Sequence, residues 1–91
     1  MKGENSMRMC KESGEITYES LGELLDAEIT YASECDGFYY IKVKANYFYN
    51  NCIWKVDKST GKASYMMFTE YILNVMDKAK EIDPATLRRG A

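Results

Sequence analysis

The dipeptide Asp36-Gly37, followed at once by the alternating run Phe38 to Ala45 ("FYYIKVKA"), narrows the folds open to this chain more than any other stretch. Asp-Gly tolerates positive φ angles at both positions, which the tight primed turn of a β-hairpin requires. In the run that follows, Tyr39, Ile41, Val43 and Ala45 fall on one face, and Phe38, Tyr40, Lys42 and Lys44 on the other. A period of two is the signature of a strand with unlike faces. An antiparallel hairpin is therefore the nucleus around which the rest is read.

Before the turn, Glu28 to Ser33 reads as the partner strand, with Ile29 and Tyr31 expected on one face. Leu21 to Ile29 carries apolar residues at 21, 24, 25 and 29, a helical spacing that Gly22 limits to two turns at most. Further on, Cys52 to Asp57 reads as a strand with Cys52, Trp54 and Val56 facing together, and Lys62 to Phe68 as its hairpin partner. The turn between them, Lys58-Ser-Thr-Gly61, calls for a left-handed residue at Gly61. From Thr69 the period changes to 3.6, with Phe68, Ile72, Val75, Met76 and Ala79 as the stripe and Thr69 as the expected N-cap. Asp83-Pro84 stops that helix, and Asp83 to Gly90 has room for one more capped turn. Met7 to Cys10 and Glu15 to Ser20 form a weaker hairpin pair, and residues 1–6 are expected to be loose. The expected fold is a single α+β domain over residues 1–91: an antiparallel meander of about five to six strands with a C-terminal helix. The alternative is all-β, as two blade-like sheets.

The overall charge of −2 hides an uneven distribution: residues 1–36 carry nine acids and three bases, residues 37–91 five acids and nine bases. Such a dipolar chain is suited to pairing with a copy of itself or presenting a basic face. Cys10, Cys35 and Cys52 show no Cys-x-x-Cys spacing, so free thiols in a reducing compartment are the plain reading. Met1 to Gly14 holds no apolar core of a signal peptide, which makes the cytoplasm the default expectation.

Two stretches repeat each other at an offset of 47: Lys11 to Tyr18 ("KESGEITY") and Lys58 to Tyr65 ("KSTGKASY"). Lys, Gly and Tyr coincide, and Ser and Thr exchange. The second, extended back to Trp54 ("WKVDKSTGK"), resembles the Tyr-x-Tyr-Asp/Asn-Lys-x-Thr-Gly-Lys hairpin of blades in six-bladed β-propellers of secreted Bacteroides-type proteins. The resemblance covers roughly residues 36–68, with a partial copy at 7–25. It implies a four-stranded antiparallel blade and, for a fragment of such a protein, an extracellular location; it carries over no catalytic or ligand residue. Ninety-one residues are too few to close a ring of at least about four blades, so a compact α+β domain sharing the turn is the preferred expectation.

No histidine occurs, which removes the commonest general acid–base group and metal ligand at neutral pH. No phosphate-binding glycine loop and no calcium-loop spacing is present. The chain is therefore expected not to be an enzyme and to need no cofactor. What remains is a non-catalytic binding module whose partner is a protein or a second copy. The candidate binding face is Phe38, Tyr40, Lys42 and Lys44, with Lys55 on the neighbouring strand. Rings beside ammonium groups on an open sheet also suit weak single-stranded nucleic-acid binding, the alternative function. Tyr47, Phe48 and Tyr49, set between asparagines, are the candidate exposed contact loop.

Overall fold

A computed structural model of the chain describes residues 9–10, 15–16, 18–44 and 51–90. Gly14 and the loop Tyr47-Phe48-Tyr49 lie outside the described residues. Two short strands, β1 (Met9–Cys10) and β2 (Glu15–Ile16), pair antiparallel, and α1 (Leu21–Leu25) follows. Strands β3 (Ile29–Cys35), β4 (Phe38–Val43), β5 (Cys52–Asp57) and β6 (Ala63–Met67) form a consecutive antiparallel meander. Helix α2 (Phe68–Asn74) then leads to β7 (Lys80–Glu81), which pairs with the far edge at β3, and α3 (Pro84–Gly90) ends the description. The sheet order is β6-β5-β4-β3-β7. The fold is α+β, as the periodicities predict.

The β3–β4 turn has Asp36 at φ 50° and Gly37 at φ 85°, positive at both central positions as a primed hairpin demands. In the β5–β6 turn Gly61 sits at φ 76° and donates its N–H to Asp57 O at 2.7 Å. The Asp57 carboxylate fixes this turn: Oδ1 accepts from Ser59 N (2.8 Å), Ser59 Oγ (2.7 Å) and Thr60 N (3.3 Å). A Cβ added at Gly61 meets no atom within 4 Å, so the penalty there is conformational rather than steric. Gly61→Val is expected to cost about 1–2 kcal/mol, the left-handed penalty for an L-residue, read from the urea midpoint; no change in midpoint would show that the turn relaxes to negative φ.

Each face of the sheet carries a packed helix, and the alternation of β4 sorts its side chains between them. Ile41 and Val43 join Ala32, Cys52, Trp54 and Val56 in a core closed by Leu24 of α1 and Leu87 of α3, with Tyr39 packed against it. Tyr40 and Ile53 face the other way and are closed by Tyr71 of α2, with Phe38, Met66 and Phe68 alongside. Ser20 caps α1, its Oγ accepting from Glu23 N at 3.3 Å, and Pro84 starts α3, where a missing N–H costs nothing. Arg88 then ties the two helices together, donating from Nε to Leu25 O (3.3 Å) and from its guanidinium to Ala27 O (3.0 Å). The Leu25 carbonyl is one that the end of α1 leaves without an intrahelical partner.

Three expectations are corrected. Ile29 and Tyr31 lie on opposite faces, because Ile29 pairs with Val43 and Tyr31 with Lys42, so Thr30 is an extra residue in a β-bulge. The helix after β6 starts at Phe68 with Met67 as N-cap, not Thr69, and it ends at Asn74. There the Asn74 side chain donates to Glu70 O at 3.1 Å, and the amides of Val75 and Met76 converge on the Tyr71 carbonyl. Side-chain competition for backbone groups of this kind closes helices early. Finally, the inward residue of α2 is Tyr71, fully buried, while Ile72 is exposed.

The 47-residue offset has a geometric counterpart. Met9 pairs with Ile16 and Val56 with Ala63, the same register 47 positions on. Helices α1 and α2 begin 47 residues apart, at Leu21 and Phe68, and their buried residues Leu24 and Tyr71 keep the same offset. The two helices nevertheless pack on opposite faces of the sheet.

Candidate functional site

The five residues read as a binding face do not share one open surface. Tyr40 is 4% exposed beneath α2, its ring centroid 5.2 Å from that of Tyr71. Lys42 is half-buried; its Nζ donates to Cys52 O at 3.1 Å and stands 4.6 Å from the Phe68 ring centroid. Burial also pushes the Lys42 ammonium below its ordinary pKa. Lys44 is exposed just past β4. Only Phe38 and Lys55 remain together, the Lys55 Nζ held 4.3 Å over the Phe38 ring. Helix α2 therefore divides the face, and no sequence pattern announced which part it would cover.

The uncovered part is a recess of about 510 Å³ at the end of β4, β5 and β6 next to the Asp57 turn. Phe38, Lys55, Asp57, Thr60, Lys62 and Ser64 are among its lining residues. Its geometry follows from register: Lys55 stands opposite Ser64, and the Asp57 amide donates to Lys62 O at 3.0 Å, so these side chains share one face. Lys62 N donates in turn to Thr60 Oγ1 at 3.2 Å, which orients that hydroxyl. The hydrogen bonds from the Ser59 hydroxyl and amide hold the Asp57 carboxyl below its ordinary pKa. Thr60, Lys62 and Ser64 were not singled out in the sequence. The signal for them was the turn itself, since a hairpin that places Lys55 and Phe38 on a face must bring its own return strand beside them.

Other titratable groups are committed to structure. Lys58 Nζ donates to Glu34 Oε1 at 2.6 Å and lies 4.9 Å from the Tyr39 centroid, and that hydrogen bond holds Glu34 low and Lys58 high. Cys52 is buried and its thiol is pushed up by burial. Cys35 is pushed up by desolvation and by the adjacent Asp36 carboxylate, to which its Sγ donates at 3.6 Å. Both are free thiols; the Cys10 side chain lies outside the description. Beneath α2, the Tyr71 hydroxyl joins Ser33 Oγ (2.6 Å) and the Tyr31 hydroxyl (2.9 Å), and burial pushes Tyr71 up to about 12. None of these groups is poised to take a proton or attack near neutral pH.

Comparison with protein families, with curated proteins and with solved structures returns no match. Among the described residues, no helix is long and apolar enough to cross a membrane, a statement that does not extend to strands.

Proposed function

We propose that the chain is a non-catalytic binding module that recognises its partner through the recess at Phe38, Lys55, Lys62 and Ser64. The observation that carries this reading is the contrast between that recess and the rest of the polar inventory. Lys42, Lys58, Glu34, Ser33 and Tyr71 are each spent on an internal contact. Lys55, resting on the Phe38 ring, and Lys62 have no ion pair with a described residue and border an open recess of about 510 Å³. The raised thiols of Cys35 and Cys52 and the absence of histidine support the non-catalytic part. A nucleic-acid platform draws less support, because stacking successive bases needs several open rings and Tyr40 is covered.

The test is an amide-shift NMR screen of the protein against small aromatic, sugar and anionic fragments. Hits are expected to cluster on Phe38, Lys55 and Lys62–Ser64. Ser64→Trp, which adds bulk at an exposed position without removing a core contact, is expected to abolish them. A screen whose shifts map elsewhere, or that Ser64→Trp leaves intact, would end the proposal.

A further inference from the structure

We infer that the recess takes an oxyanion, a phosphate monoester or a carboxylate, carried on an apolar or aromatic body. The inference rests on the reading of the recess as the binding surface and adds the chemical class. Its polar rim is rich in donors. Lys55 and Lys62 each bring an ammonium, and neither forms an ion pair with a described residue, in contrast to Lys58 with its Glu34 partner. Thr60 Oγ1 already accepts the Lys62 N–H, so the proton of that hydroxyl is left to donate, and the Ser64 hydroxyl stands on the exposed strand beside it. The one carboxylate present, Asp57, spends Oδ1 on three donors of its own turn. Two cations against one internally engaged acid leave the rim net positive.

The remaining features limit the rest of the ligand. Lys55 is prepositioned by the face of Phe38, so less side-chain freedom is lost when it meets an anion. That same contact already occupies a ring face with a cation, which disfavours a cationic ligand. Phe38, half-buried and tilted against Tyr40 at 6.5 Å between centroids, offers fixed apolar surface to a ligand body. Charge-assisted hydrogen bonds from two ammonium groups are stronger than neutral ones, which places the selectivity on the anionic head.

The experiment follows the amides of Lys55, Lys62 and Ser64 in the intact chain during titration with phenyl phosphate, benzoate, benzyl alcohol and inorganic phosphate. Phenyl phosphate and benzoate are expected to move these amides with an affinity about tenfold above that of benzyl alcohol, an increment of about 1.4 kcal/mol. The ratio between these two ligands decides which oxyanion the recess prefers. Inorganic phosphate is expected to bind more weakly than phenyl phosphate. The Lys55→Gln/Lys62→Gln variant, checked for native spectral dispersion, is expected to lose the anion preference while keeping benzyl alcohol binding. Equal affinity for benzyl alcohol and phenyl phosphate, or unchanged phenyl phosphate binding in the variant, would overturn the oxyanion class and leave the recess as a binding surface. Equal affinity for inorganic and phenyl phosphate would overturn the requirement for a body. If none of the four moves these amides, and the wider fragment screen also misses them, the recess reading itself fails.

Discussion

Trp54→Ala is expected to lower the unfolding free energy by about 3–5 kcal/mol, the range for truncating a large buried aromatic. Trp54 is 2% exposed on β5, opposite Ile41, in the core closed by α1 and α3. Its ring meets Tyr18 edge-on at 5.3 Å and Tyr65 at 5.4 Å, so the substitution removes transfer energy and two aromatic contacts together. Small domains carry only about 5–15 kcal/mol in total, so the loss takes a large part of the reserve. The readout is the urea midpoint by far-UV circular dichroism, since the variant lacks the only tryptophan. A loss below about 1 kcal/mol, with an unchanged slope, would show that the site collapses around the cavity and that Trp54 does not organise this core.

Tyr71→Phe is the second large effect, expected to cost about 1–3 kcal/mol although it removes one oxygen. The size comes from what is left behind. Ser33 is fully buried, and its hydroxyl is bonded to the Tyr71 oxygen at 2.6 Å. Without that partner a buried polar group stays unpaired and loses its hydration as well. Ser33→Ala combined with Tyr71→Phe is therefore expected to cost less than the sum of the single changes, which a double-mutant cycle reads directly. The pH dependence has a definite sign. Burial raises the folded pKa of Tyr71 to about 12, above its ordinary value near 10, so its contribution is fully present at neutral pH. It is lost as pH rises from about 10 through 12, and Tyr71→Phe should flatten that alkaline limb. Strictly additive costs and an unchanged limb would remove the hydroxyl network from the account of α2 docking.

The parts legible in the sequence are those fixed by local geometry. Asp36-Gly37 and Gly61 announced positive φ because few other residues adopt it, and the β4 alternation survived because one register serves both faces. The bulge at Thr30 was not legible, since Ile29-Thr-Tyr31 reads as an ordinary alternating strand until its partner's register is known. The early end of α2 was not legible for a similar reason: Val75, Met76 and Ala79 do pack inward, but from a turn rather than from continued helix. The candidate site was half legible. Phe38 and Lys55 are adjacent as alternation implies, while the burial of Tyr40 and the engagement of Lys42 depend on which way α2 folds back.

That fold-back also explains why a recess exists. A five-stranded sheet is roughly 19 Å across at ~4.8 Å per strand spacing. Helix α2, with seven residues at ~1.5 Å each, is only about 10 Å long. A cover of that length cannot reach every strand, so part of the sheet has to stay bare. Tyr71 closes the sheet over Tyr40 and Ile53, while Phe38 and Lys55, toward the Asp57 end of the strands, line the recess. The opening is thus the remainder of a short cover on a wide surface.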